Sequence, residues 1–232
     1  MSDHDVGDSP SGTPDHLLAF WNRWLLGRDT VGMLNPIRQE FSVRPRDFVC
    51  YAYADPEAGL SAHVHLICKV RFTGRIDPVF DLWAKKLVVK FRADMFDVFD
   101  LRLLDPTEVS ALKLPSEPEW LSCYTNEELE KVRRLEFLRP LRAGNFPDDI
   151  RTFVAGAKNK EPEVVWVRTK RLMPDGTLEC VLLNQPYQKL GVNRGDLVRV
   201  RVREVPGGIQ SFCLGPAKSW KRTLSGILPK SR

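Results

Sequence analysis

Residues 163–205 read EVVWVRTKRLMPDGTLECVLLNQPYQKLGVNRGDLVRVRVREV, and this stretch decides the fold of the C-terminal half. Three runs rich in β-branched and apolar residues lie within it, at 164–169, 177–183 and 197–205. They are separated by two turn signatures, MPDG beginning at Met173 and NRGD beginning at Asn193. Strand-like runs on both sides of two turn signals predict a small antiparallel sheet.

The whole chain is predicted to be an α+β protein, with helices packed beside this sheet. Helical spacing of apolar residues, with a cap or a proline at each start, predicts helices at 15–27, 77–91, 126–138 and 147–158. The capping box Thr125-Asn126-Glu127-Glu128 supports the third of these. Alternation predicts strands at 47–54 and 62–72, while 98–104 could be a strand or the end of the second helix.

Composition and proline placement predict three parts of the chain. These are a disordered tail at 1–14, a mixed α+β region at 15–118, and a domain at 119–232 in which a helical lead-in precedes the sheet and a basic C-terminus. Hydrophobic residues make up 43% of the chain, which is ordinary for a globular protein.

Several classes of protein are excluded by simple counts. The longest apolar runs are far shorter than the roughly 20 residues of a membrane span, and Asp3, Asp5 and Asp8 stand where a secretory signal would be basic and then apolar. Five cysteines form an odd set without a CxxC pair, which argues against a disulfide framework and a zinc site. We therefore expect a cytoplasmic protein with reduced, mostly buried thiols and no membrane contact.

Charge is distributed unevenly along the chain. Residues 151–232 contain 16 Lys and Arg against 6 Asp and Glu, a net charge of +10, while the whole chain has +5. Residues 1–150 therefore carry −5. Such an asymmetry indicates either a nucleic-acid or anionic footprint in the C-terminal part or a charge-complementary interface between the two parts.

The basic face of the predicted sheet is the main candidate site. Arg199, Arg201 and Arg203 alternate with valines, so the three guanidinium groups should share one face. Arg168 and Lys170 share a face with Trp166 on the earlier strand, and pairing of the two strands would place the indole beside the arginines. Cations around an aromatic ring on a small sheet are typical of single-strand binding. The alternatives are a solvated edge strand, a core position for Trp166, and internal neutralisation of the face by Glu179, Glu204 and the acidic first half of the chain.

Catalytic and metal signals are weak. His63 and His65 share one face of a predicted strand, as in some metal-dependent hydrolases, but two ligands are too few without carboxylates such as Asp55, Asp77 or Asp81. The sequence contains no Gly-rich phosphate loop, GxSxG or HExxH motif. We expect no catalytic residues, no bound metal and no cofactor.

A set of short motifs resembles the YegJ-like family of bacterial domains of unknown function (domain of unknown function 2314), over residues 147–212. The motifs are a helix with Phe153 and Ala157, an acidic residue before a Trp-containing strand at 163–167, Asn184-Gln185-Pro186, and the Gly195-Asp196 turn. The family usually closes with Ile-x-Asp-Trp, whereas this chain has Ile209-Gln210-Ser211-Phe212. The resemblance implies a bacterial-type domain and no transferable activity.

Together these patterns favour a non-enzymatic binding module. The first hypothesis is a protein partner, with the acidic N-terminal part packed against or regulating the basic sheet. The second is binding of RNA or single-stranded DNA through the basic face, and the third is a metal-dependent hydrolase that uses His63 and His65.

Overall fold

The computed structural model describes residues 19–155 and 161–217, which form two compact units that divide between Thr125 and Asn126. Each unit is built on one six-stranded sheet. Strands account for 42% of the described residues, and helices, with the 3-10 turns included, account for 19%. The predicted α+β class with packed C-terminal helices is therefore wrong, because the protein is mostly β. In the described part of the chain, no helix is long and apolar enough to span a membrane.

The sheet of the first unit is antiparallel, and layers of side chains cover both of its faces. Its strands are β1 (Arg23–Arg28), β2 (Asp47–Asp55), β3 (Gly59–Val70), β4 (Ile76–Asp81), β5 (Lys90–Arg92) and β6 (Arg102–Leu103). The strand order is β4-β3-β2-β1-β6, and β5 pairs with β3. Short helices α1 (Asn35–Glu40) and α2 (Pro106–Ala111) and the 3-10 turns Ala93–Val98 and Glu119–Cys123 complete the unit. The strands predicted at 47–54 and 62–72 are confirmed as β2 and β3.

Two predicted helices of this unit are wrong. The segment 15–27 contains β1, and its first four residues lie outside the described part. Trp24, Leu25 and Leu26 are all buried because both faces of the strand are covered, and a continuous apolar run does not distinguish a strand from a helix. The segment 77–91 contains β4, a turn and β5. Pro78 is tolerated there because β4 lies at the edge of the sheet.

The second unit is a five-stranded barrel. Its elements are helix α3 (Glu127–Arg133), the 3-10 turn Glu136–Leu141, and strands β7 (Arg142–Ala143), β8 (Phe146–Val154), β9 (Glu163–Leu172), β10 (Leu178–Leu182), β11 (Leu197–Val205) and β12 (Gly208–Pro216). Strands β8 to β12 pair in chain order with antiparallel neighbours. The barrel closes because β12 returns to pair with β8 in parallel.

The strands read from 163–205 are confirmed as β9, β10 and β11, but the helix predicted at 147–158 is wrong. Residues 146–154 form β8, and 156–158 lie outside the described residues. Ile150, Thr152 and Val154 alternate into the barrel, whereas Arg151 and Phe153 lie on its outside. The apolar residues of so short a segment fit both a helical and a strand period. Pairing with β9 along its length makes this segment a strand.

Helix α3 is shorter than predicted and is capped differently. Asn126, not Thr125, is the N-cap, since its side chain accepts a hydrogen bond from the Leu129 amide at 2.9 Å. The helix ends at Arg133, and Leu138 and Leu141 of the following 3-10 turn are buried in the barrel core. The helix therefore helps to close the barrel rather than packing on an open sheet.

Candidate nucleic-acid interface

The alternation of β11 directs its valines and arginines to opposite sides of the barrel wall. Val198 and Val200 are fully buried in the core. Arg199 and Arg201 are partly exposed and Arg203 is exposed. A closed barrel has only an inside and an outside, so the three guanidinium groups emerge on the outer surface.

Two of the five predicted site residues are held by neighbours within the barrel. Arg168 makes a two-pronged ion pair with Asp149, at 2.7 and 2.9 Å. Burial raises the pKa of Asp149, and this outweighs the lowering effect of Arg168. Arg199 donates to the Thr177 hydroxyl at 2.9 Å, and its side chain is only 17% exposed. Arg168 and Arg199 are therefore engaged in contacts within the barrel.

Trp166 lies outside the barrel and is 39% exposed, but it does not lie next to the arginines of β11. Strand β10 separates β9 from β11 on one side, and β12 and β8 separate them on the other. The two strands are therefore not paired, and the condition under which the indole would lie beside the arginines is not met. The register places Arg151 of β8 opposite Trp166 instead.

One cross-strand row connects β11 to β9 over the outside of the barrel, and two pairs of a second row lie beside it. In the first row, Arg201 pairs with Phe212, Phe212 with Phe153, and Phe153 with Val164. The Phe153 and Phe212 rings stack with centroids 6.0 Å apart and an interplanar angle of 27°. The second row contains the pairs Arg203–Gln210 and Arg151–Trp166. We call these eight residues the barrel stripe: Arg151, Phe153, Val164, Trp166, Arg201, Arg203, Gln210 and Phe212.

The barrel stripe has the dimensions of a few nucleotides. Neighbouring strands lie about 4.8 Å apart, so β11 and β9 are about 14 Å apart along a row. Stacked nucleotides advance by about 3.4 Å each. Aromatic rings lie beside cations in both rows, Phe212 next to Arg201 in the first and Trp166 next to Arg151 in the second, and such neighbours let bases stack while phosphates are neutralised.

The cations of the barrel stripe form no ion pair within the barrel. Within residues 19–155 and 161–217, no carboxylate lies within 4 Å of Arg151, Arg201 or Arg203, and the same holds for Lys170 further along β9. At longer range the charge of Arg201 helps to lower the pKa of Asp175, and the charge of Lys170 acts on the pKa of Asp149 in the same direction. Other acidic side chains of the barrel are held by different partners. Glu179 pairs with Arg171 at 2.8 Å, for example, and Glu163 accepts two backbone N–H groups. The barrel stripe itself therefore contains three cations and no carboxylate.

The net charges of the two structural units differ from the net charges of the two halves of the chain. Residues 126–232 contain 21 Lys and Arg against 12 Asp and Glu, a net charge of +9, of which the described residues hold 14 and 12. Residues 13–125 contain 14 and 15, a net charge of −1. The first unit is nearly neutral, because the acidic surplus is shared with the N-terminal tail and with residues 126–150.

The two histidines of β3 lie in an aromatic cluster of the first unit. The His63 ring is 4.7 Å from that of Trp120 and 6.1 Å from that of Trp83, and His65 lies 5.2 Å from Trp24. The described residues contain no group of three His, Cys, Asp or Glu side chains that could hold a metal ion. The expectation that the histidines bind no metal stays a prediction, which metal analysis of purified protein tests.

His63 makes the first unit sensitive to acid. Burial, and then the charges of Lys90 and His65, lower its pKa from 6.5 to about 4, and burial also lowers the pKa of His65. As the pH falls below 6.5, His63 therefore takes up a proton in the unfolded chain before it does so in the folded one. We expect His63 to cost this unit about 2 kcal/mol of stability between pH 7 and pH 5. A His63→Phe variant, which keeps a ring between Trp83 and Trp120, should show a correspondingly flatter pH dependence in thermal unfolding; an unchanged dependence would contradict the assignment.

The sequence reasoning missed half of the barrel stripe. Arg151 and Phe153 were assigned to a helix, and Phe212 was considered only as a departure from a family motif. The outward alternation of Asp149, Arg151 and Phe153 was the signal that could have found the first two. Phe212 becomes a neighbour of Phe153 only through the parallel closure of the barrel, which no local pattern indicates.

Comparisons with protein-family models, curated proteins and solved structures found no match for this chain. The resemblance of residues 147–212 to the YegJ-like family therefore stays a prediction. One of its quoted features does not hold, since Phe153 lies on a strand rather than on a helix.

Proposed function

We propose that this protein binds single-stranded nucleic acid, RNA or DNA, through the barrel stripe. The observation that carries the proposal is the stacked, outward-facing pair Phe153 and Phe212, with Arg201 beside Phe212 on the neighbouring strand and Arg151 two residues before Phe153 on β8. Unstacked bases have free faces that aromatic rings can cover, and their phosphates lie within reach of flanking guanidinium groups. A duplex hides those faces, so the barrel stripe favours single strands.

A protein partner is the weaker of the two binding hypotheses. The hypothesis that the N-terminal part docks on the basic barrel needed an acidic partner surface, but that unit has a net charge of only −1. A nearly neutral unit provides little long-range attraction for a basic one. No observation supports a metal-dependent hydrolase. The five free cysteines fit a cytoplasmic location, where thiols stay reduced.

The test is a triple variant that removes the open cations of the barrel stripe, Arg151→Gln, Arg201→Gln and Arg203→Gln. Three phosphate contacts on a single strand contribute a salt slope of about 2. Between 50 and 200 mM salt, wild type should therefore lose about 16-fold more affinity for a labelled 12-residue oligo(U) than the variant does. Fluorescence anisotropy measures both values, and a duplex of the same length should bind more weakly.

Two controls separate the barrel stripe from general charge. The variant Lys85→Gln, Lys86→Gln and Lys113→Gln removes three exposed cations from the first unit and should keep the wild-type slope. A chain ending at Ala217 lacks five cations of the C-terminal segment. It should still bind the oligonucleotide, and the triple change should reduce its salt slope further. Equal slopes for the triple variant and wild type would overturn the proposal, as would the absence of binding by wild type.

A further inference from the structure

The loop between β10 and β11 carries an aromatic side chain that has no role in the fold. Tyr187 is fully exposed, at 102% of its reference area. Single exposed aromatic residues are common on protein surfaces and need no explanation by themselves. The backbone beneath Tyr187 is fixed by hydrogen bonds to a carboxylate.

Glu163, the first residue of β9, holds that backbone in place. One carboxylate oxygen accepts the Tyr187 amide at 2.7 Å, and the other accepts the Gln188 amide at 2.7 Å. Charge-assisted hydrogen bonds of this kind are roughly twice as strong as neutral ones. The same bonds offset the negative charge of Glu163, which would otherwise repel a phosphate backbone near the barrel stripe.

The loop is fixed at further points on both sides of Tyr187. The Asn184 side chain accepts the backbone amide of Trp166 at 2.7 Å. Pro186 is buried, and Leu190 and Val192 lie in the barrel core. A ring on so constrained a backbone loses little conformational freedom when it meets a ligand.

The loop lies at the end of the barrel stripe. Glu163 precedes Val164 on β9 and stands three residues, or about 10 Å, from Trp166. The loop is therefore joined to β9, the last strand of the barrel stripe, through Glu163 at one point and through the bond between Asn184 and the Trp166 amide at another. A strand lying along the barrel stripe reaches the loop within a few nucleotides.

We infer that Tyr187 is a second stacking platform, which extends the nucleic-acid site beyond the barrel stripe and captures a base next to the one on Trp166. This inference rests on the proposed function and adds the length of single strand that the site binds. The preferred ligand is a single strand of about four nucleotides or more, which is the lower end of the site sizes known for small barrels.

The experiment measures binding of the 12-residue oligo(U) by the full chain with Tyr187→Ala and Tyr187→Phe. Stacking on one base contributes about 1–3 kcal/mol, so the alanine variant should bind about tenfold more weakly with an unchanged salt slope. The phenylalanine variant should stay within about twofold of wild type, since it keeps the ring. Phe72→Ala is the matched control, because Phe72 is an equally exposed ring, at 108%, in the first unit.

The outcomes separate this inference from the proposed function. Wild-type affinity in Tyr187→Ala, together with weakened binding in a Trp166→Ala variant, would overturn the role of Tyr187 and leave the barrel stripe intact. Wild-type affinity in both variants would overturn both proposals, as would a wild-type chain that binds no oligonucleotide. Equal losses for Phe72→Ala and Tyr187→Ala would also overturn the inference, because exposed rings anywhere on the chain would then act alike.

Discussion

An Asp148→Asn variant is expected to lose about 3 kcal/mol of the free energy of unfolding of the barrel unit. Arg133 is the largest fully buried side chain of the described residues, and it donates twice to Asp148, at 2.7 Å each. Removing one partner of a buried ion pair costs about 3–5 kcal/mol, because the other charge stays buried without compensation. Glu130, 2.8 Å from the guanidinium and 20% exposed, remains as a second partner, so we expect the lower end of that range.

Burial alone would lower the pKa of Arg133, but the hydrogen bonds and charges of Asp148 and Glu130 reverse that effect and raise it. Arg133 stays charged in the variant as well, because a guanidinium group is not deprotonated in proteins, and the loss of stability is therefore not relieved by release of a proton. The two carboxylates together keep a buried cation at the junction of α3 and β8, and this holds the helix on the end of the barrel.

Denaturant unfolding of the full chain measures the effect. Glu127→Gln is the matched control, since Glu127 pairs with Lys131 at 3.0 Å on the exposed side of the same helix and should change stability by less than about 0.5 kcal/mol. The double change Arg133→Met and Asp148→Leu should recover most of the loss, because it removes both buried charges. A loss below about 1 kcal/mol in Asp148→Asn would contradict the role assigned to this pair.

The features that the sequence predicted correctly are local ones. The strands β9, β10 and β11 follow from short alternating runs, and the turns between them follow from glycines that adopt positive φ, Gly176 at 74° and Gly195 at 87°. Such signals depend on residues only a few positions apart. These local signals do not depend on contacts with distant parts of the chain.

The errors arose where distant parts of the chain decide the structure. Strand β1 was read as a helix because side chains from other elements cover both of its faces, which removes the alternation. Strand β8 was read as a helix because Pro147 and two carboxylates are also a helix-start signal. In the fold these carboxylates are the ion-pair partners of Arg133 and Arg168.

The candidate site likewise combines features that a local sequence pattern predicts with features that only tertiary contacts determine. Sequence alternation found Arg201 and Arg203, but it could not show that Arg199 and Arg168 are held by Thr177 and Asp149. Which cations are open is a property of tertiary contacts. The first row of the barrel stripe was also hidden, since Phe153 and Phe212 are 59 positions apart and meet only where the barrel closes.

Trp166 provides the most sensitive probe of the barrel stripe. Its ring lies on the outer wall of the barrel, and it forms the end of a row opposite Arg151. Loss of one base-stacking ring costs about 1–3 kcal/mol, which corresponds to about 5-fold to 150-fold in affinity. The fold should be retained, because β9 keeps its ladder and its inward-facing valines, Val165 and Val167.

The central claim, that single strands bind on the barrel stripe, is tested most directly by the dissociation constant of a labelled 12-residue oligo(U) for Trp166→Ala at 100 mM salt. The matched control is Trp83→Ala, since Trp83 is 43% exposed in the first unit and Trp166 is 39% exposed in the barrel. We predict that Trp166→Ala raises the dissociation constant by about 10-fold to 100-fold, that Trp166→Phe recovers most of the affinity, and that Trp83→Ala stays within about twofold of wild type. A Trp166→Ala chain that keeps its thermal transition and binds as tightly as wild type would contradict the claim.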